Sequence, residues 1–160
     1  MDNTLVFIHG LESTAQGNKA QYFRKYFPQM IIEDYLNDFD TRMRKLRMVL
    51  TGKSNLIIVG SSFGGLMAAK YALESEDKMK KMILIAPAIN LKEFPSVIEK
   101  KLQIPVVLYH GRCDDVVDPY IVKDIAMKAF ENLEHHLVDD DHSLSKIFPQ
   151  LDWGKLLSTC

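Results

Sequence analysis

The chain has 160 residues, 47% hydrophobic and 26% charged, a composition that suits one globular domain and leaves little room for a second, substrate-capping one. Twenty basic residues against twenty-one acidic give a formal net charge of −1, which offers no electrostatic footprint for nucleic acid or for an anionic membrane. Cys113 and Cys160, with no Cys-x-x-Cys pair, suggest neither a disulfide framework nor a structural zinc site, and Cys113 is expected to pack.

Short β-rich apolar runs alternate with helical patterns from end to end, as in βα units on a mainly parallel sheet. Thr4-Leu5-Val6-Phe7-Ile8 is the first predicted strand, followed by a helix around 19–26 and a second strand, Met30-Ile31-Ile32-Glu33-Asp34. Asp40 can cap the next helix, which carries Met43, Leu46 and Leu50 and stops at Gly52. The third strand, Asn55-Leu56-Ile57-Ile58-Val59, runs directly into Gly60-Ser61-Ser62-Phe63-Gly64 and a helix through Leu66 and Ala72. A fourth strand at 81–86 and a fifth at 104–109 flank a connection, 87–103, that has room for one helix and little for a lid. Asp118-Pro119 reads as a helix cap with Pro at the first helical position, the last strand is 134–138, and a last helix is expected near Ser143. Strands that are apolar at consecutive positions belong to a sheet covered on both faces, where ligand-handling groups gather beyond the carboxyl ends of the strands.

Gly60-x-Ser62-x-Gly64 between a strand and a helix is the pattern of a nucleophile elbow. Residues two before and two after such a serine approach other backbone closely and must be very small. The glycines satisfy this for Ser62 and not for Ser61. A Gly/Ser-rich turn at a helix N-terminus can also bind an anion through its amides, so the pattern needs partners elsewhere. A serine hydroxyl requires a base, and the base a carboxylate that orients it. Asp114 follows the fifth strand in His110-Gly111-Arg112-Cys113-Asp114-Asp115, and His142 follows the sixth after Asp139-Asp140-Asp141. Asp115 competes with Asp114 and could shape the turn instead. His135 and His136 fall within the last strand and are read as structural or surface; His9 and His110 each end a strand before a glycine, where they can stabilise loops. His142 with the aspartates could also suggest a metal, but no second histidine has ligand spacing, and the Asp run reads as a solvated loop.

Attack on an acyl carbon needs donors for the developing oxyanion. The Phe63 N–H directly after Ser62 is one candidate; the Leu11 N–H, in the loop Ile8-His9-Gly10-Leu11-Glu12-Ser13, is the other. Hydroxyls of Ser13 or Ser61 could add to them, though turn roles suit both.

Together the elbow, the acid loop, the histidine loop and the His-Gly loop give the chain a resemblance to the α/β-hydrolase superfamily, specifically to its small, lidless, esterase-like members. That resemblance implies a three-layer α/β fold with a trimmed, mostly parallel sheet of about six strands and helices on both faces. The family's two leading antiparallel strands and its lid are missing. The expected organisation is one α/β-hydrolase domain over 1–160 without a separate cap. Ser62, Asp114 and His142 match the family's triad positions, and Leu11 and Phe63 its oxyanion-hole positions.

Leu11, Phe63 and either Val116 or Leu144 are expected to form a modest apolar acyl pocket. The implied activity is hydrolysis of small carboxylic esters through an acyl-Ser62 intermediate, with acyl-thioesters as the alternative substrate and a non-catalytic binding protein as the rival class. No cofactor or metal is required, and the expected partner is a small-molecule acyl ester or thioester, with no nucleic acid and no membrane. The first residues show no basic-then-apolar leader, and no run approaches the length of a membrane span, so a cytoplasmic protein is expected.

Overall fold

Successive residues of a strand face opposite sides of a sheet, so a strand apolar at every position supplies two cores at once. The computed structural model of the chain describes residues 2–159. Its strands are β1 (Thr4–Ile8), β2 (Ile31–Ile32), β3 (Leu56–Ser61), β4 (Met79–Ile85), β5 (Leu102–Gly111) and β6 (Phe130–Val138). They form one six-stranded sheet in the order β2-β1-β3-β4-β5-β6, and every neighbouring pair is parallel.

Register sets Val6, Ile58, Met82 and Val106 side by side in one row, and Phe7, Val59, Ile83 and Val107 in the next. The first row packs beneath the helices α2 (Phe39–Val49), α3 (Phe63–Glu74) and α4 (Pro119–Ala129), against Met43, Leu46, Leu66 and Val122. The second packs under α1 (Asn18–Tyr26) and the C-terminal segment, against Phe23, Phe148 and Trp153. At roughly 1.5–3 kcal/mol for each large side chain removed from water, these two rows hold the sheet and both helical layers as one α/β sandwich.

Several elements differ from the sequence reading. The second strand shrinks to Ile31–Ile32, the two residues that pair with Val6 and Phe7 of β1. Helix α2 is capped by Asp38, whose side chain accepts from Thr41 N–H at 2.9 Å; Asp40 lies inside the first turn. No helix forms over 87–103, a stretch interrupted by Pro87 and Pro95. Nor does one begin at Ser143: Leu144 takes a left-handed φ of 52°, and only a 3₁₀ turn at Phe148–Gln150 and the short α5 (Trp153–Leu156) follow. In contrast, β3 extends to Ser61, which carries the sheet up to the elbow itself. Among the described residues no helix is long and apolar enough to cross a membrane.

Candidate active site

Ser62 sits between the end of β3 and the start of α3 with φ 55° and ψ −115°, a conformation that non-glycine residues rarely adopt. Packing holds it there. Ser62 N–H donates to Ile85 O at 2.9 Å, and Ser62 O accepts from Gly65, Leu66 and Ala88. The two glycines earn their places sterically: a Cβ on Gly60 would lie 2.5 Å from Gly64 O, and one on Gly64 would run into Ile8 O. Such crowding leaves a serine hydroxyl projecting above the sheet at the N-terminus of α3.

The chain brings Ser62, His142 and Asp114 together across 80 and 28 residues of separation. Ser62 Oγ–H points to His142 Nε2 at 2.9 Å, and His142 Nδ1–H donates to Asp114 Oδ2 at 2.7 Å. Asp114 lies in the turn after β5 with its side chain fully buried, whereas Asp115 is exposed. Its Oδ1 accepts from the Val116 and Val117 amides at 2.9 and 2.8 Å. Burial alone would raise the pKa of this carboxyl, but the hydrogen bonds from Val117, His142 and Val116 outweigh it and hold the pKa below the usual value.

His142 is carried by the loop after β6. That loop is not the solvated run expected of Asp139-Asp140-Asp141, because Asp140 is buried. Its Oδ2 accepts from the Lys146 and Ile147 amides at 3.0 and 2.8 Å, and its carbonyl accepts from Cys113 N–H at 3.1 Å, tying the histidine loop to the acid loop. Cys113 itself is exposed, not packed, since it lies in the turn beyond the sheet.

The loop after β1 closes the other side. A Cβ on Gly10 would stand 3.3 Å from Ser62 Cβ, so only glycine leaves ordinary space beside the hydroxyl. His9, buried, donates from Nδ1 to Gly10 O at 2.7 Å and accepts at Nε2 from Tyr35 N–H at 2.9 Å, a pairing that only the neutral Nδ1–H tautomer can make. Burial lowers its pKa in the same sense. In a planar trans peptide the N–H points opposite to the C=O, so anchoring Gly10 O turns the Leu11 N–H away from the His9 ring. Neither the Leu11 nor the Phe63 amide is used in the turn and loop hydrogen bonds of the described residues.

Ser62 and His142 open onto a cleft of about 490 Å³, with Leu11, Phe63, Leu91 and Val116 on its walls. Leu11 and Val116 are half or more exposed, at 51% and 68%, whereas Leu144 does not line the cleft, being buried in the core with Phe23 and Phe148. Of the Lys, Arg, Asp and Glu residues, only Glu12 and Lys19 line the cleft, and Lys19 is already engaged with Ser143 O at 2.5 Å. Sequence reasoning missed Lys19, Leu91 and the anchoring role of Asp140. It also missed the partner of His110: this fully buried ring lies 2.9 Å from Asp114 Oδ2. A polar residue in a strand buried on both faces is the signal that a partner must exist, without saying which. His136 stacks on Tyr109 with 4.6 Å between ring centres and pairs with Glu134, away from the site. Among the described residues no group of three or more His, Cys, Asp or Glu is arranged to hold a metal ion.

Comparison with known proteins bears on the fold. A family model described as serine aminopeptidase, S33, matches residues 24–100, a stretch that contains Ser62 and ends before Asp114 and His142. No curated protein matches the sequence. Solved structures match over nearly the whole chain. The mouse α/β hydrolase domain-containing protein 10 superposes with a TM-score of 0.75 at 18% identity, covering 99% of this chain and 92% of that one. The Pyrococcus furiosus esterase Pf2001 gives 0.76 at 17% identity, over 98% and 81%, and Est1E from Butyrivibrio proteoclasticus 0.77 at 14%, over 97% and 86%. The fold is the α/β-hydrolase fold.

Proposed function

We propose that the protein is a serine hydrolase, a single lidless domain that cleaves small carboxylic esters through an acyl-Ser62 intermediate. The observation that carries this reading is the continuous run of hydrogen bonds from Ser62 Oγ through His142 to Asp114, at 2.9 and 2.7 Å, assembled from three separate loops. In this reading His142 Nε2 takes the Ser62 proton as Oγ bonds to the acyl carbon, and returns it to the departing alkoxide. Water then attacks the acyl-enzyme, giving a proton to His142 and releasing the acid as Ser62 recovers its own. Asp114 holds the imidazole in the Nδ1–H tautomer and balances the imidazolium that forms. The Phe63 and Leu11 amides, uncommitted elsewhere, receive the oxyanion. An open, largely apolar cleft of about 490 Å³ supports short acyl groups held by Leu11, Phe63 and Val116.

Acyl-thioesters use the same groups and form the second substrate class. An aminopeptidase reading, after the family model's description, would need a carboxylate for a free amine, and Glu12 is the acidic residue on the cleft wall.

Treatment with a fluorophosphonate probe and mapping of the adduct tests the proposal. Labelling is expected at Ser62, absent in Ser62→Ala and sharply reduced in His142→Ala. Asp114→Asn should slow it by about 10³-fold or more, and Asp115→Asn by less than about threefold. Folded protein that resists the probe would be the binding protein of the rival class. A panel of p-nitrophenyl acyl esters, acyl-thioesters and aminoacyl anilides then separates the substrate classes.

A further inference from the structure

Asp114 carries a donor that a triad carboxylate does not need for its own sake. Its Oδ2 receives His142, and the same oxygen lies 2.9 Å from Nε2 of His110, a ring on β5 with no exposure at all. We propose that His110 is a positioning residue of this site: held as the neutral Nε2–H tautomer, it shares Asp114 Oδ2 with His142, immobilises that carboxylate and limits its basicity. The inference rests on the reading of Ser62, His142 and Asp114 given above.

The tautomer follows from the partners. His110 Nε2 faces Asp114 Oδ2 and, at 3.2 Å, Val117 O. Both are acceptors, so Nε2 must carry the proton. The other nitrogen, Nδ1, is buried with no partner among the described residues. An empty acceptor is tolerated there, whereas an Nδ1–H would be a buried donor with nothing to meet, which is costlier.

The charged and titratable groups facing the ring agree with this. Asp114 is the one carboxylate; His142 approaches from the loop after β6, and His135 from β6, itself beneath Lys123 of α4. Burial, foremost, and the adjacent His142 push the His110 pKa down against the pull of Asp114. His110 therefore stays uncharged while His142 takes up a proton beside it.

For Asp114 the result is full occupancy. Val116 and Val117 amides fill Oδ1, and His142 and His110 fill Oδ2. The carboxylate cannot turn without breaking several of these bonds. Charge drawn toward His110 is charge withheld from His142, so the His110 bond restrains the basicity of the catalytic imidazole. A hydrophobic residue in its place would leave Oδ2 to His142 alone.

The test compares His110→Leu, which removes the donor, with His110→Gln, whose amide N–H restores one. The rate of fluorophosphonate labelling of Ser62 is followed against pH. In His110→Leu the acidic limb is expected to move up by about half to one pH unit and the plateau to fall about tenfold, from the loss of one hydrogen bond to a charged group. His110→Gln should return the limb to its wild-type position. A limb unmoved in His110→Leu, or moved equally in both variants, overturns the proposal.

Imidazole ¹⁵N–¹H NMR of Ser62→Ala reads the ring without catalysis and decides the matter if His110→Leu does not fold. An Nε2-bound proton and a bare Nδ1, unchanged from about pH 5.5 to 8, support it. An Nδ1–H tautomer, or titration within that range, overturns it. Protein that no probe labels would sink the catalytic reading and the positioning role with it, leaving the NMR to report the His110–Asp114 bond alone.

Discussion

At the residue scale, the tightest steric demand falls on Gly64. A methyl group there would collide with the backbone carbonyls of Ile8 and His9, atoms of the interior strand β1 and of the loop that faces Ser62. Backbone on both sides cannot yield as a flexible side chain can. Gly64→Ala is expected to lower unfolding free energy by about 3 kcal/mol or more, by overpacking, and to displace the elbow. Gly154→Ala, whose added Cβ would meet only the Asp152 side chain at 3.6 Å, should change stability little. Urea titration of the two variants measures the contrast, and equal midpoints would refute the steric argument.

At the element scale, the segment after β6 does the work expected of a helix without being one. Asp140 replaces helical hydrogen bonds by accepting from Asp141, Lys146 and Ile147 amides, and buried Leu144 pins the loop into the core beneath α1. The strained φ of Leu144 is sustained by that burial. Asp140→Ala would leave partly buried amides without acceptors, at a cost of about 1 kcal/mol. It should also slow labelling of Ser62, because His142 rides on this loop. Asp139, exposed and paired with exposed Arg112 at 3.2 Å, is the control; Asp139→Ala should affect neither stability nor labelling measurably. Parallel denaturation and labelling of both variants checks the assignment.

At the scale of the whole molecule, buried and half-buried histidines set the response to acid. His9, His110 and His135 all have pKa values below the usual 6.5, each chiefly through burial. A depressed histidine pKa means that the unfolded chain binds protons the folded chain refuses. Stability is therefore full above about pH 6.5 and declines as pH falls toward the folded-state values. Asp114, also depressed, adds its contribution above its usual value of 3.8 and loses it only at lower pH. The urea midpoint is expected to drop between pH 7.5 and pH 5.5, well before carboxylates titrate. A midpoint constant over that interval would show that these rings are free to protonate in the folded protein.

Much of the architecture was legible in the chain because it is written in local terms. Consecutive apolar runs identify strands covered on both faces, and Gly60 and Gly64 flank Ser62 at the one spacing a strand-turn-helix corner tolerates. The same alternation places Ser62, Asp114 and His142 each just beyond a strand end, those of β3, β5 and β6. Less legible were features settled by competition between neighbours: Asp38 and not Asp40 reaches the free amides of α2, and the pattern near Ser143 gives way to side-chain capping and a proline.

The sequence by itself determined the alternation of elements and the spacing of the elbow, since periodicity and steric size act over a few residues. Only the tertiary structure decided which carboxylate meets His142, why Asp140 is buried, and that His110 turns inward onto Asp114. Those choices depend on distances between residues far apart in the chain, and the register of β5 against β6 and the closure of their loops set such distances where no local pattern can.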